Sequence, residues 1–142
     1  MVQAPVAGVM RRLAAGAYDA LLLGALWMAA TFAIVVFRGG EPVPAGDPAY
    51  RLLLLLLAAL YFGVSWVRGG QTLGMRAWRL RVERASGEPV DPRTGAVRLV
   101  AGALTLATCG LGLAWLWFDR DELTWHDRLA RTRVLLLPKD PG

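Results

Sequence analysis

Asp19 is the residue whose type and position most directly suggest chemistry. It lies in an apolar stretch, residues 13–37, and Arg12 precedes it by seven positions. A charged side chain at the centre of a membrane helix costs about 3 kcal/mol on insertion scales. Such a residue therefore usually serves a function or has a specific partner. Asp19 can carry protons or cations, or it can form a polar contact that holds helices together.

His126 and Asp127 form a second pair that could do acid–base chemistry. That chemistry also needs a nucleophile or a metal, together with a pocket. Ser65, Ser86 and Cys109 lie in no nucleophile motif, and a single histidine with no second ligand argues against a catalytic zinc. We therefore expect no enzyme activity, no metal and no cofactor. Cys109, within an apolar run, is expected to be an inert thiol.

The elements that position these residues are three long apolar runs. Of the 142 residues, 56% are hydrophobic and only 19% are charged. The runs comprise residues 13–37, 52–67 and 99–118, and a membrane-spanning helix needs about 20 residues. The first run is too long for the apolar part of a signal peptide, about 7–15 residues, so we interpret it as a retained span. The sequence predicts a membrane protein in contact with the lipid bilayer.

The net charge of +5 has two interpretations. A basic protein can bind nucleic acid, but arginines that flank apolar runs are typical of membrane proteins, whose orientation they determine. We therefore expect no nucleic-acid partner.

The first helix is predicted to begin near Gly8 and to present two adjacent stripes. Arg12 and Asp19 are seven residues apart, which places them on nearly the same face about 10 Å apart along the axis. Gly16, Ala20 and Gly24 recur at four-residue spacing, which favours close approach of another helix. Asp19 is therefore expected to face a helix rather than lipid.

Residues 68–98 form the longest polar stretch, with a predicted short interfacial helix at residues 72–78. The alternation of Trp78, Leu80 and Val82 with charged residues has the period of a half-buried strand. A second candidate strand lies at residues 132–137. Two strands this short are not stable alone, so we predict that they pair.

The third apolar run has two alternative arrangements. If residues 99–118 cross the membrane, nine basic residues lie on one side and seven on the other. If the run bends at residues 109–112 and returns as a re-entrant or in-plane hairpin, fourteen lie on one side and two on the other. The positive-inside rule favours the hairpin. We therefore predict an all-α membrane protein with two transmembrane helices, a third apolar helical segment and a short cytoplasmic two-stranded β element.

Three groups of residues resemble the RDD family of small bacterial membrane proteins, over about residues 8–136. They are Arg12 with Asp19, the Gly-Gln-Thr-Leu-Gly sequence at residues 70–74 followed by Leu-Arg-Val at 80–82, and the Thr-Trp-His-Asp-Arg-Leu-Ala-Arg-Thr sequence at residues 124–132. The resemblance implies that Arg12, Asp19 and Asp127 are the arginine and two aspartates of the family name. It adds four supporting residues, Gln71, Thr72, His126 and Arg128. The sequence departs from the family pattern at Leu73, Met75 and Arg131, where proline, a basic residue and glycine are common.

The resemblance implies a membrane context, while the activity has two interpretations. The first is a non-catalytic accessory or assembly subunit of a larger membrane complex, in which Arg12, Asp19 and Asp127 form a polar clamp. The alternative is an oligomeric ion, proton or small-solute transporter that uses Asp19. Partners would be other integral membrane subunits or copies of the chain.

We expect one domain over residues 8–136, with short tails at 1–7 and 137–142. We place it in the bacterial inner membrane with a cytoplasmic N-terminus and, in the hairpin arrangement, a cytoplasmic C-terminus. Trp125, His126, Tyr61 and Gln71 remain as candidate donors to Asp19.

Overall fold

The described part of the chain is mostly helical and contains one small sheet. The computed structural model describes residues 4–108, 111–121 and 123–139. Cys109, the predicted inert thiol, lies outside these residues. In chain order the elements are α1 (Val9–Phe37), α2 (Pro48–Gly69), α3 (Leu73–Ala77), β1 (Leu80–Arg84), α4 (Pro92–Ala107), α5 (Leu111–Ala114), a 3-10 turn (Trp115–Trp117), α6 (Trp125–Ala130) and β2 (Thr132–Leu136).

Helices α1 and α2 form an antiparallel hairpin. The Trp27 indole donates to the backbone oxygen of Leu54 at 3.0 Å, and the hydroxyls of Thr31 and Tyr50 lie 2.7 Å apart. The N-terminal end of α1 therefore lies beside the C-terminal end of α2. Both helices are long and apolar enough to cross a membrane, as the sequence predicts. Among the described residues, no third helix meets this requirement.

Helix α1 is longer than a bilayer core is thick. Its 29 residues extend about 43 Å at 1.5 Å per residue, against about 30 Å of hydrocarbon. If Arg38, just after the helix, marks one boundary of the core, the other boundary falls about 20 residues earlier. That position is next to Asp19. The carboxylate thus lies near the boundary of the apolar region, where a charge is less costly than at its centre.

Strands β1 and β2 pair in antiparallel register, which confirms the predicted pairing. Val82 lies opposite Val134 and Leu80 opposite Leu136, and the first three of these side chains are buried. Strand β1 begins two residues later than the alternation predicts. Trp78 instead ends α3, and Arg79 adopts a left-handed backbone conformation with φ 57° before the strand begins.

The residues before α1 extend this sheet. Val6 forms an isolated bridge with Leu135, the Ala7 amide donates to the Val134 oxygen at 2.9 Å, and Leu136 donates to Pro5 at 2.8 Å. The predicted domain boundary at residue 8 therefore leaves out residues that pair with β2. The two ends of the described chain lie together, at the end of the hairpin where α1 begins.

Helix α4 contains the first part of the third apolar run. Helix α4 ends at Ala107, and the predicted bend at residues 109–112 lies partly outside the described residues. Arg98, at the start of the run, forms an ion pair with Asp127, beyond its end. The described residues contain no third helix that could span a membrane.

Helix α6 ends at a tight turn despite lacking the glycine common in the family. Arg131 adopts the left-handed conformation, φ 51° and ψ 47°, at the C-terminus of α6. For a residue with a side chain this conformation costs about 1–2 kcal/mol, whereas glycine adopts it readily. Arg131 leads directly into β2, and its backbone oxygen accepts from the Ala85 amide, just after β1, at 2.8 Å.

The apolar core lies at the same end of the hairpin. It contains Leu80, Val82 and Val134 from the sheet, together with Ala15 of α1 and Trp66 of α2. The strands, α3, α4 and α6 pack here, and we call this group of elements the cap. Packing of the cap against both helices brings the polar residues of the sequence analysis into contact.

Candidate functional site

Asp127 is the centre of a buried ion cluster that joins three helices. Its side chain has no solvent exposure. The Oδ2 atom accepts from Arg12 Nη1 of α1 at 2.5 Å, and Oδ1 accepts from Arg98 Nη1 of α4. Because Asp127 itself belongs to α6, one carboxylate connects the start of α1 to two elements of the cap.

The start of α6 fixes the orientation of Asp127. Thr124 caps the helix, and its hydroxyl accepts from the Asp127 amide at 3.3 Å. In the second hydrogen bond of the pair, Asp127 Oδ2 accepts from the Thr124 amide at 3.2 Å. This capping box satisfies two amides that the first turn of a helix leaves without partners. It also holds the carboxylate at the positive end of the helix dipole.

Two opposing effects act on the pKa of Asp127. Burial raises it, because the charged form loses its hydration. The nearby positive charges of Arg98 and Arg12 lower it, and they outweigh burial, so the pKa of Asp127 lies well below its ordinary value. Asp127 is therefore a permanent anion at neutral pH and is unsuited to proton exchange.

Arg98 is a residue of this cluster that the sequence analysis did not single out. Its side chain is buried, donates to the Thr132 hydroxyl at 2.7 Å, and lies 5.0 Å from the centre of the Trp66 ring. It thus connects α6 to β2 and contacts α2 by a cation–π interaction.

One signal in the sequence could have identified Arg98. Gly95, Arg98, Ala101 and Thr105 recur at three- and four-residue spacing, and all four are buried on one face of α4. Small residues on both sides of an arginine leave room for a neighbouring element, so Arg98 belongs to the packed face. By charge alone it is one of seven arginines in the polar stretch of residues 68–98.

Asp19 forms a second cluster with donors from α2, α3 and the residue that caps α3. Its side chain is buried, and its Oδ1 accepts from the Tyr61 hydroxyl at 2.7 Å and the Gly74 amide at 2.9 Å. Its Oδ2 accepts from the Thr72 hydroxyl at 2.5 Å. Of the four candidate donors from the sequence, the structure places Tyr61 at Asp19. Arg12 and Asp127 take part in none of these three hydrogen bonds, so Asp19 and Asp127 belong to separate clusters.

The Gly-Gln-Thr-Leu-Gly sequence forms a loop that fits closely around Asp19. Gly70 ends α2 in the left-handed conformation, and Thr72 caps α3 by accepting from the Met75 amide at 3.1 Å. A Cβ atom on Gly74 would lie 2.3 Å from the backbone oxygen of Ala15 and 2.8 Å from the Asp19 carboxylate. Glycine is therefore required at residue 74 for α3 to approach α1.

The other predicted supporting residues have different positions. Gln71 donates to the Leu80 oxygen at 2.7 Å and braces the loop before β1. Arg128 forms an ion pair with Asp119 on the surface. His126 lies beside the ion cluster, with Nδ1 3.3 Å from the Thr105 hydroxyl and Nε2 3.9 Å from Asp127.

The predicted packing stripe of α1 does not contact the cap. Gly16, Ala20 and Gly24 are exposed, and a Cβ atom on either glycine would have no neighbour within 4 Å. The buried face of α1 instead contains Arg12, Ala15 and Asp19. Within the described chain, the polar face packs internally and the small-residue face points outward.

The structure consists of two apolar helices joined to a small cap through two buried carboxylates. These features define a small helical membrane protein. The RDD family model matches residues 6–131, and the chain belongs to the RDD family, as its resemblance predicts. RDD proteins are membrane proteins, so the α1–α2 hairpin contacts lipid. No curated protein and no solved structure matches the chain.

Proposed function

We propose that this protein is a non-catalytic accessory or assembly subunit of a larger membrane complex. The observation that supports this proposal is the use of both buried carboxylates inside the chain. Asp127 bonds to side chains of α1 and α4, and Asp19 bonds to α2, α3 and the cap of α3. Charges used in this way hold elements together, and the outward faces of the hairpin remain for lipid or for partner subunits.

The absence of catalysis is part of the same proposal. His126 is the only histidine, and burial followed by the positive charge of Arg98 lowers its pKa to about 4. The neighbouring Asp127 is already held by two guanidinium groups. A neutral histidine beside an occupied carboxylate is a poor acid–base pair near neutral pH.

We further propose that the protein lies in the bacterial inner membrane with both termini in the cytoplasm. The ends of the described chain lie together at the cap. Of the sixteen basic residues, only Arg38 and Arg51 flank the opposite end of the hairpin. Loops rich in arginine and lysine remain cytoplasmic, which supports a cytoplasmic cap.

One observation favours an alternative, an oligomeric ion or proton transporter that uses Asp19. The carboxylate lies within a candidate span, and two of its three donors are hydroxyl groups, Tyr61 and Thr72. Hydroxyls can pass protons along hydrogen-bonded chains. Buried carboxylates in membrane helices commonly serve such pathways.

An Asp19→Asn variant separates the two functions. Asparagine keeps the size of the side chain but turns one acceptor into a donor that faces other donors. For an assembly subunit, we expect a loss of about 1–3 kcal/mol in stability and a matching loss of the stoichiometric membrane partner in mild detergent. Glu41→Gln, in the exposed α1–α2 loop, is the matched control. A variant of unchanged stability that loses pH-linked flux in proteoliposomes would instead establish transport.

A further inference from the structure

A groove with apolar walls lies between α2 and α4 on the outer surface of the protein. Its volume is about 330 Å³, and its walls include Leu60 and Val64 of α2 and Ala96 of α4. The helices approach closely at its floor. A Cβ atom on Gly63 would lie 3.4 Å from Leu99, and one on Gly95 would lie 3.4 Å from Val67.

The groove runs along α2 from the level of Asp19 towards the cap, because Leu60 adjoins Tyr61, which bonds to Asp19. Gly63 contacts Leu99 and Val67 contacts Gly95, so the chains run antiparallel along the groove. The α2 side belongs to a helix that can span a membrane. Acyl chains therefore border the Leu60 end of the groove, near the boundary of the apolar region, and lipid headgroups border the Arg68 end.

Arg68 lies at the end of the groove where α2 leaves its apolar run. Its side chain is exposed and lines the groove, and no carboxylate of the described residues forms an ion pair with it. A guanidinium at this level can bind a phosphate through two parallel hydrogen bonds. Basic groups beside grooves between membrane helices bind anionic headgroups in this way.

We propose that the groove binds one acyl chain of an anionic phospholipid whose phosphate is held by Arg68. The ligand matches both parts of the site, since its tail is apolar and its headgroup is opposite in charge to the arginine. The groove volume lies near the lower end of the range for ligand sites. A partner helix with its side chains is about 10 Å wide and needs a larger groove. A single chain therefore fits the groove better than a partner helix.

Native mass spectrometry of the full chain tests the headgroup contact. The protein is equilibrated with equal amounts of dioleoylphosphatidylglycerol and dioleoylphosphatidylcholine, which differ only in the headgroup. We expect retention of the anionic lipid to exceed that of the zwitterionic lipid by about fivefold, the effect of one arginine near a headgroup. Arg68→Gln should abolish this preference. Arg51→Gln, at the other end of the same helix, should preserve it.

A second variant tests the groove itself. Ala96 is exposed on the α4 wall, so Ala96→Phe fills the groove without disturbing the core. We expect it to lower the retention of both lipids at an unchanged melting temperature. An unaltered lipid preference in Arg68→Gln would overturn the proposal, as would full lipid retention in Ala96→Phe. A wild-type dimer without bound lipid that Ala96→Phe dissociates would assign the groove to a second copy of the chain.

Discussion

Asp127 joins three helices, as Asp19 does, but two of its partners are buried arginines. It accepts from Arg12 and Arg98, and its own amide and carboxylate complete the capping box with Thr124. Each of these donors lies in a different element, so removing one carboxylate loosens α1, α4 and α6 together. Most of the energetic cost of removing the Asp127 carboxylate comes from Arg12 and Arg98, because both guanidinium groups remain buried.

We expect Asp127→Asn to lower the free energy of unfolding by about 3–5 kcal/mol. The amide keeps the size of the side chain but removes the negative charge that pairs with both buried guanidinium groups. Unfolding in detergent, followed by helical circular dichroism, measures the change. Asp121→Asn is the control, because this exposed carboxylate only approaches Arg128 at 3.5 Å and should change stability by less than about 1 kcal/mol. Equal effects of the two variants would contradict the role given to Asp127.

His126 gives the protein a specific dependence on acid. Its pKa falls from 6.5 to about 4 in the folded protein, first through burial and then through the charge of Arg98. The unfolded chain therefore binds this proton at a higher pH than the folded chain does. The stability that this difference contributes is complete above pH 6.5 and is lost as the pH falls towards 4.

The melting temperature should accordingly decrease between pH 6.5 and pH 4 in the wild-type protein. His126→Gln removes the titrating group and should flatten this part of the profile. Thermal unfolding over a series of buffers measures both curves. Because the chain has one histidine, parallel slopes in the two proteins would show that carboxylates alone cause the acid sensitivity.

At the scale of elements, α3 is the part whose position depends most on a single glycine. It contains only five residues, so packing rather than intrinsic helix stability holds it in place. Its contact with α1 is made where Gly74 meets Ala15 and Asp19. The same approach allows the Gly74 amide to reach the Asp19 carboxylate.

We expect Gly74→Ala to destabilise the protein by about 2 kcal/mol or more. The new methyl group overlaps the Ala15 oxygen and Asp19, so α3 must move away and the hydrogen bonds of Asp19 are lost. Thermal unfolding measures the effect. Gly102→Ala is the control, because that helical glycine has open space and alanine should stabilise α4 by up to about 1 kcal/mol. Similar melting temperatures for the two variants would show that α3 tolerates the displacement.

At the scale of the whole molecule, one end of the hairpin carries nearly all of the described structure outside α1 and α2. The first residues of α1, the sheet and α6 meet there through Arg12, Asp127 and the pairing of Val6 with Leu135. The opposite end consists of the loop between α1 and α2. Both ends of the described chain lie at the cap, so locating the cap on one side of the membrane determines the orientation of the protein.

Cysteine labelling measures that orientation. In a Cys109→Ser background, we expect Lys139→Cys to be modified from the cytoplasmic side of membrane vesicles, because the arginine-rich cap should remain there. Glu41→Cys, in the α1–α2 loop, should be modified from the opposite side. Labelling of both positions from the same side would contradict the two-span arrangement. Labelling of residue 139 only from outside would contradict the cytoplasmic cap.

The sequence by itself determines the two apolar helices, the strand pair and the candidate residues Arg12, Asp19 and Asp127. These follow from local properties: run length, a two-residue alternation, and charges in apolar surroundings. The resemblance to the RDD family also depends on short motifs, and the match over residues 6–131 confirms it.

Only the tertiary structure decided which of these residues meet. It separates Asp19, bound by Tyr61, Thr72 and Gly74, from the cluster of Asp127. It adds Arg98, at the start of the third apolar run, to that cluster. Hydrogen-bond partners that are 29 to 55 residues apart in the chain have no fixed spacing in a sequence. Their contacts depend on how the cap packs against the hairpin, which is a property of the folded chain.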